Sequence, residues 1–300
     1  MSHTFKTILI TGATGQVGYE LCRSLSVLGA ILSPNREELD LADAHSVDAY
    51  LAKHQPDLIV NPAAWTAVDA AEVNQEATAR LNTALPAQLA QYARKTNAYL
   101  IHYSSDYVYP GTGQNYWLES DAVAPLSVYG RTKLGGDKAV VNHCLHYLIF
   151  RTSWVYSDRG NNFMKTMLNL GAQRESLNIV NDQFGAPTNA RLIAEVTALA
   201  VYRQLASKPI DSGIYHLVCG GITSWYGFAE KIFELAKREN LPLLLNELGG
   251  ISTAEFPTPA ARPQNSKLNV SKLEGALGIT LPSWQQQLEF TFNSYMNNKD

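Results

Sequence analysis

The chain alternates two hydrophobic rhythms through its first half. "TILIT" (Thr7–Thr11) is a short β-branched run, followed by glycines and then by "YELCRSLSVLG", whose apolar residues recur at helical spacing up to Gly29. "DLIVN" (Asp57–Asn61) follows the helix-like "SVDAYLAKHQ", which Pro56 terminates. "AYLIHYSS" (Ala98–Ser105) follows "ALPAQLAQYARKT", and "HYLIFRTSWVY" (His146–Tyr156) follows the stretch around "VYGRTKLGGDKAV". Strands alternating with helices of this length predict a parallel sheet covered by helices on both faces, an α/β architecture of the Rossmann type.

Beyond residue 157 the rhythm loosens. "NNFMKTMLNLGAQ", "RLIAEVTALAVYRQLA" and "WYGFAEKIFELAKREN" read as helices, "SLNIVND" as a strand, and "EFPTPAARPQNSKL" as a proline-dotted loop. This predicts a nucleotide-binding domain over residues 1–157 and a smaller substrate-binding lobe over 158–300. Interleaved segments of the second half are expected to return to the first domain.

The glycines give the first chemical signal. "TGATGQVG" sets Gly12, Gly15 and Gly18 directly after the first strand and before a helix. Glycine lets main-chain N–H groups approach a phosphate, and the following helix aims its N-terminal dipole at the same point. In this strand–turn–helix context the pattern predicts a bound dinucleotide. The adenosine end should be read about 20 residues on, within "AILSPNREELDL". Arg36 there suits a 2′-phosphate and favours NADPH, while the neighbouring Glu37 and Glu38 leave NADH open.

A hydride donor calls for a proton donor. Tyr129 and Lys133 are four residues apart, hence on one face of a helix. A nearby ammonium is expected to pull a phenol's pKa down from its ordinary value of about 10. The chain holds 15 tyrosines, so this pair alone proves little. Its weight comes from "IHYSSDYVYPG", which puts Ser104, Ser105 and Asp106 at the carboxyl end of a strand, where ligands of such sheets sit.

Composition narrows the rest. A net charge of −3 and a pI near 6.2 leave no electrostatic footprint for nucleic acid. The scattered Cys22, Cys144 and Cys219 fit a reducing cytoplasm better than a disulfide framework. "MSHTFKTILITG" runs into glycine without a cleavage site, and no apolar run reaches the roughly 18 residues of a membrane span. "NHCLH" (Asn142–His146) superficially suggests a metal site but has no further ligands beside it, so no metal is expected.

"VNPAAWTAVDAAE", "HYSSDYVYPGTG", "VYGRTKLGGDKAV", "FRTSWVY", "GNNFMKTML", "NDQFGAPT" and "PTPAARPQNSKL", with the glycine turn, resemble the extended short-chain dehydrogenase/reductases. Within that superfamily they resemble the dTDP-4-dehydrorhamnose reductases from about residue 8 to 270. The resemblance implies reduction of a nucleotide-linked C4 ketone by NADPH, or also NADH, for dTDP-L-rhamnose and surface polysaccharide synthesis. It implies Tyr129 as proton donor, Lys133 as its tuner and ribose ligand, and Ser105, a threonine in most relatives, as a hydroxyl donor. Gly15, Gln16 and Val17 would meet the pyrophosphate, and Asp40 and Leu41 the adenosine. Ala63, Ala64, Trp65, Thr66 and Tyr103 would line the remaining length of the cofactor. Ser105, Asp106 and Trp154 would contact the sugar nucleotide. Asp40 suits a helix cap as well, and Arg262 suits either a diphosphate or an acidic neighbour. Arg191 disfavours the metal-bridged dimer of some relatives, which leaves monomer or homodimer. A reductase of another 4-keto-6-deoxy sugar stays open. So does a non-catalytic NADP-binding regulatory subunit, though retention of Ser105, Tyr129 and Lys133 argues against it.

Overall fold

The computed structural model describes residues 5–206 and 209–298. The first residues of "MSHTFKTILITG" therefore lie outside the described residues. Five strands of the first half, β1 (Thr7–Ile10), β2 (Ala30–Leu32), β3 (Leu58–Asn61), β4 (Tyr99–Ser105) and β5 (Tyr147–Thr152), join a sixth from the second half, Gly213–His216. All pair in parallel, in the spatial order Gly213–His216, β5, β4, β3, β1, β2. The order reverses at β1, so a crevice opens beyond the carboxyl ends of β1 and β3.

Residues alternate between the two faces of the sheet, which divides the core. Ile8, Ile10, Val60, Ile101 and Phe150 pack into one cluster, closed by Leu21 of the Gln16–Ser24 helix and by Ile193, Val196 and Ala200 of the Ala190–Gln204 helix. Leu9, Ile59, Leu100 and Ile149 point the other way. They meet Val47 and Leu51 of the Ala44–His54 helix, Leu85 and Leu89 of the Leu85–Thr96 helix, and Val140 of the Val128–His143 helix. With both faces covered, the strands read as near-continuous apolar runs, as parallel strands do.

Two departures from the sequence pattern matter for the site. The expected strand from His146 to Tyr156 breaks after Thr152 and resumes as Val155–Tyr156, because Trp154 takes a left-handed φ of 50°. That conformation costs a non-glycine residue on the order of 1 kcal/mol or more. Just before the Leu85–Thr96 helix, Arg80–Ala84 forms a π-turn, a form that collects at functional sites. The second half adds the Phe163–Gly171, Trp225–Arg238 and Trp284–Asn297 helices. It also adds a parallel pair of strands, Ser176–Val180 and Glu247–Ile251.

Candidate active site

The turn after β1 is shaped for close backbone approach. Gly12 has a φ of 59°, its carbonyl accepts from Gly15 N at 2.9 Å, and Gly15 stands at the N-terminus of the Gln16–Ser24 helix. A Cβ on Gly18 would lie 2.2 Å from the Gly12 carbonyl oxygen, so the helix packs on the turn without room for a side chain. The first turn of this helix carries no acidic residue, and its free N–H groups face the crevice as an anion site. Gln16 lines the cleft, and its side-chain amide is already engaged. Its carbonyl accepts from Ser157 Oγ at 3.0 Å and Asn162 Nδ2 at 2.9 Å, which ties the loop after Tyr156 over the glycine turn.

One continuous cleft of 1090 Å³ runs from this turn to the end of β4. Arg36, Asp40 and Leu41 line one end, and Ala63, Ala64, Trp65 and Thr66 follow from the end of β3. The cap of the Ala44–His54 helix is Asp43, which accepts from His45 N, and not Asp40, which the local sequence also suited to that role. Asp40 accepts instead from Ala42 N at 3.0 Å. Asn82, in the π-turn, holds Trp65 by both main-chain groups, accepting from its N–H at 2.8 Å and donating to its carbonyl at 3.1 Å. Tyr103 enters the cleft by its backbone. Its hydroxyl lies 2.8 Å from Thr197 Oγ1 on the far side of the sheet.

The reacting groups meet where β4 ends. Ser127 caps the Val128–His143 helix by accepting from Gly130 N. This sets Tyr129 in the first turn, its ring edge-on to Tyr107 at 5.3 Å. One turn on, Lys133 is buried and donates from Nζ to the Tyr103 carbonyl at 2.5 Å. Burial lowers the Lys133 ammonium to about 8, against the opposing charge of Asp137. Tyr129 does not follow the expectation that Lys133 pulls its phenol down. Burial dominates and pushes it up to about 12, with the facing Ser105 hydroxyl pulling down and the Asp106 carboxylate pushing further up. Ser105 Oγ donates to Asp106 Oδ1 at 2.8 Å, and Ser266 Oγ donates to the other oxygen at 2.5 Å. Asp106 is thus buried with both oxygens engaged, and burial raises it to about 6.

At the outer end Trp154 stacks on Trp225 with ring centroids 3.7 Å apart. Gly185 completes the slot, since a Cβ there would press to 2.9 Å from the Trp154 ring. Arg262 lines the same region and pairs with Asp69 through two bonds, of 3.1 and 2.8 Å, so the acidic neighbour is the partner seen. Among the described residues no group of three or more histidine, cysteine or acidic side chains could hold a metal ion.

A phosphate cradle, a tyrosine and lysine on one helix face, and a serine at the strand end share this cleft. Residues 6–297 match the family model described as the RmlD substrate binding domain. The dTDP-4-dehydrorhamnose reductase of Shigella flexneri is 49% identical over 282 residues, covering 93% of this chain and 94% of that one. The chain belongs to the dTDP-4-dehydrorhamnose reductase family. Its counterpart from Escherichia coli K12 is 48% identical over the same shares of each chain. The dTDP-4-dehydrorhamnose reductase of Bacillus anthracis, solved in complex with NADP, superposes with a TM-score of 0.88 at 32% identity, covering 97% of this chain and 100% of that one.

Several groups of this reductase fold escape a reading of sequence alone. Trp225 reads as a helix-start aromatic, and nothing local announces that it stacks on Trp154. Arg159, Gly160 and Asn161 line the cleft from the loop before the Phe163–Gly171 helix, where the sequence pattern places Asn161 in the helix itself. Asn82 lies in an unremarkable helical stretch. Its role comes from a contact across 17 residues.

Proposed function

We propose that the protein reduces the C4 ketone of dTDP-4-dehydro-L-rhamnose to dTDP-L-rhamnose with NADPH, as its relatives' name describes. The observation that carries this reading is that Tyr129, Lys133 and Ser105 converge on the cleft that begins at the glycine turn. The residues there fit a dinucleotide. The turn offers uncovered N–H donors and no space for a Cβ at Gly18, and Arg36 lies at the adenosine end where a 2′-phosphate would be met. When bound, the nicotinamide supplies hydride to the carbonyl carbon.

The chain's own residues would do the rest. Tyr129 donates its phenolic proton to the oxygen as negative charge develops there. With its pKa near 12 the phenol is fully protonated at neutral pH, which is the state that ketone reduction requires. Ser105 would turn its single hydroxyl proton from Asp106 to the same oxygen and stabilise the developing charge. Lys133, anchored on the Tyr103 carbonyl, holds a cationic donor beside the ribose. The stacked Trp154 and Trp225 give the sugar nucleotide a flat apolar wall, and Asp106 orients Ser105. Arg262, held by Asp69 and lining the cleft, would meet the diphosphate. Three free cysteines support a reducing, cytoplasmic setting, and we take the enzyme to act as a monomer or homodimer.

The test is loss of NADPH absorbance when the pure protein meets enzymatically prepared dTDP-4-dehydro-L-rhamnose, with the product identified by chromatography and NMR. Formation of dTDP-L-rhamnose supports the proposal. Tight NADPH binding without turnover would move it to another 4-keto sugar or to a regulatory subunit.

A further inference from the structure

Lys133 and Asp137 lie four residues apart on the Val128–His143 helix, so both side chains share one face. Both are buried, at 3% and 1% exposure. Asp137 Oδ2 accepts from Arg151 Nε of β5 at 3.0 Å. Arg151 is fixed in turn, because Nη1 donates to the Tyr109 hydroxyl at 2.8 Å and that hydroxyl lies 2.7 Å from His216 Nε2. The other carboxylate oxygen, Asp137 Oδ1, is buried and makes no hydrogen bond of good geometry, and the buried Ser104 hydroxyl of β4 is the further polar group that acts on this carboxylate. Positive, negative and positive charges thus follow one another from helix to sheet, all removed from water. A buried carboxylate with an unpartnered oxygen destabilises a fold unless charges nearby compensate it.

We propose that Asp137 is a positioning residue that keeps the Lys133 ammonium charged inside the protein by fixing a carboxylate one helical turn beyond it. Its catalytic meaning rests on the role given to Lys133 above. The other groups facing Lys133 do not supply that charge. His102 of β4 stays neutral, since burial and the ammonium itself hold its imidazole well below the usual value. The Tyr103 carbonyl accepts one proton but carries no charge. Tyr129 on the same helix is protonated, and Arg151 of β5 is a second cation. The π-turn packed against the helix presents Asn82 and Thr83, neither of which titrates. Asp106 lies in the turn after β4 and spends both oxygens on serines. Asp137 is the charge that opposes the effect of burial on Lys133.

Protonation of Lys133 can be read in the full-length protein, free of ligand, by NMR of isotope-labelled lysine Cε. The Lys133 signal is identified by its disappearance in Lys133→Arg. In the wild type the signal should titrate near pH 8. In Asp137→Asn the midpoint should fall by a pH unit or more, a tenfold or greater loss of proton affinity. Asp137→Glu should restore most of it. Asp137→Ser also removes the carboxylate and should lower the midpoint likewise, which keeps the test open if the asparagine variant does not fold. Midpoints unmoved in these variants would overturn the proposal. The basic limb of the kcat profile should move with the NMR midpoint. An NMR shift with no change in that limb would uphold the tuning by Asp137 and remove Lys133 charge from the proposed mechanism.

Discussion

Asn82→Ala tests whether the cleft wall is held by one amide. The side chain is fully buried and makes three hydrogen bonds, two to the Trp65 main chain and one to Thr132 Oγ1 at 3.3 Å. Alanine leaves the Trp65 N–H and carbonyl without partners. Each orphaned group costs about 1–3 kcal/mol, and the lower part of that range applies where water can reach from the cleft, giving about 2–3 kcal/mol in all. Alanine is the better helix former, but that returns only about 0.5 kcal/mol, so the hydrogen-bond loss wins. With an unfolding entropy of about 2.1 cal/mol/K per residue, a 300-residue chain loses roughly 0.6 kcal/mol per degree, so the net loss of about 1.5–2.5 kcal/mol should drop Tm by about 2–4 °C. Asn82→Asp keeps the acceptor for the Trp65 N–H but sets a buried carboxylate against the Trp65 carbonyl, so it should lose at least as much as alanine. Melting by circular dichroism gives the number, and titration with NADPH should show weaker binding as the Trp65 wall loosens. An alanine variant that melts within a degree of wild type would refute the reasoning.

Tyr129→Phe should lower kcat by at least two orders of magnitude while NADPH titrates as in wild type, because the phenol proton is lost and the cleft is otherwise kept. Arg36→Ala should weaken NADPH at least about tenfold and leave NADH unchanged, read by fluorescence titration, since a charged hydrogen bond to a phosphate is worth about 1.5–3 kcal/mol. Asp69→Asn should reduce stability by less than about 1 kcal/mol at neutral pH, because its pair with Arg262 is 25% and 40% exposed and is screened. The Arg262 bond holds the Asp69 carboxyl below its ordinary 3.8, so the folded state favours the charged form. The contribution is therefore present above that value and is lost as pH falls through the folded one. Melts of wild type and Asp69→Asn should converge in acid, and a difference that grows there would contradict the assignment.

What the sequence revealed was local. The glycine turn and the Tyr129–Lys133 spacing are set by residues within one turn or one helix, so their geometry could be read in advance. Asp40 and Asp43 show the limit of that reading. Both are carboxylates before the same helix, and only the backbone path decides that Asp43 caps it. Lys133 was expected to act on Tyr129, yet its ammonium binds a main-chain carbonyl, which no side-chain pattern reveals. The Trp154–Trp225 stack and the Asp69–Arg262 pair join positions 71 and 193 apart in sequence, where periodicity carries no information. The left-handed turn at Trp154 was hidden inside an apolar run that otherwise reads as one strand.

The Gly213–His216 strand closes the sheet along β5, and this makes the first half of the chain a poor fragment. A polypeptide ending at residue 157 would keep the glycine turn and the Tyr129 helix but leave the outer edge of β5 unpaired from Leu148 to Arg151. It would also bare the surface of the Gln16–Ser24 helix against which the Ala190–Gln204 helix packs. An apolar edge of that kind recruits other strands, so such a fragment should gather into aggregates before it could bind a nucleotide.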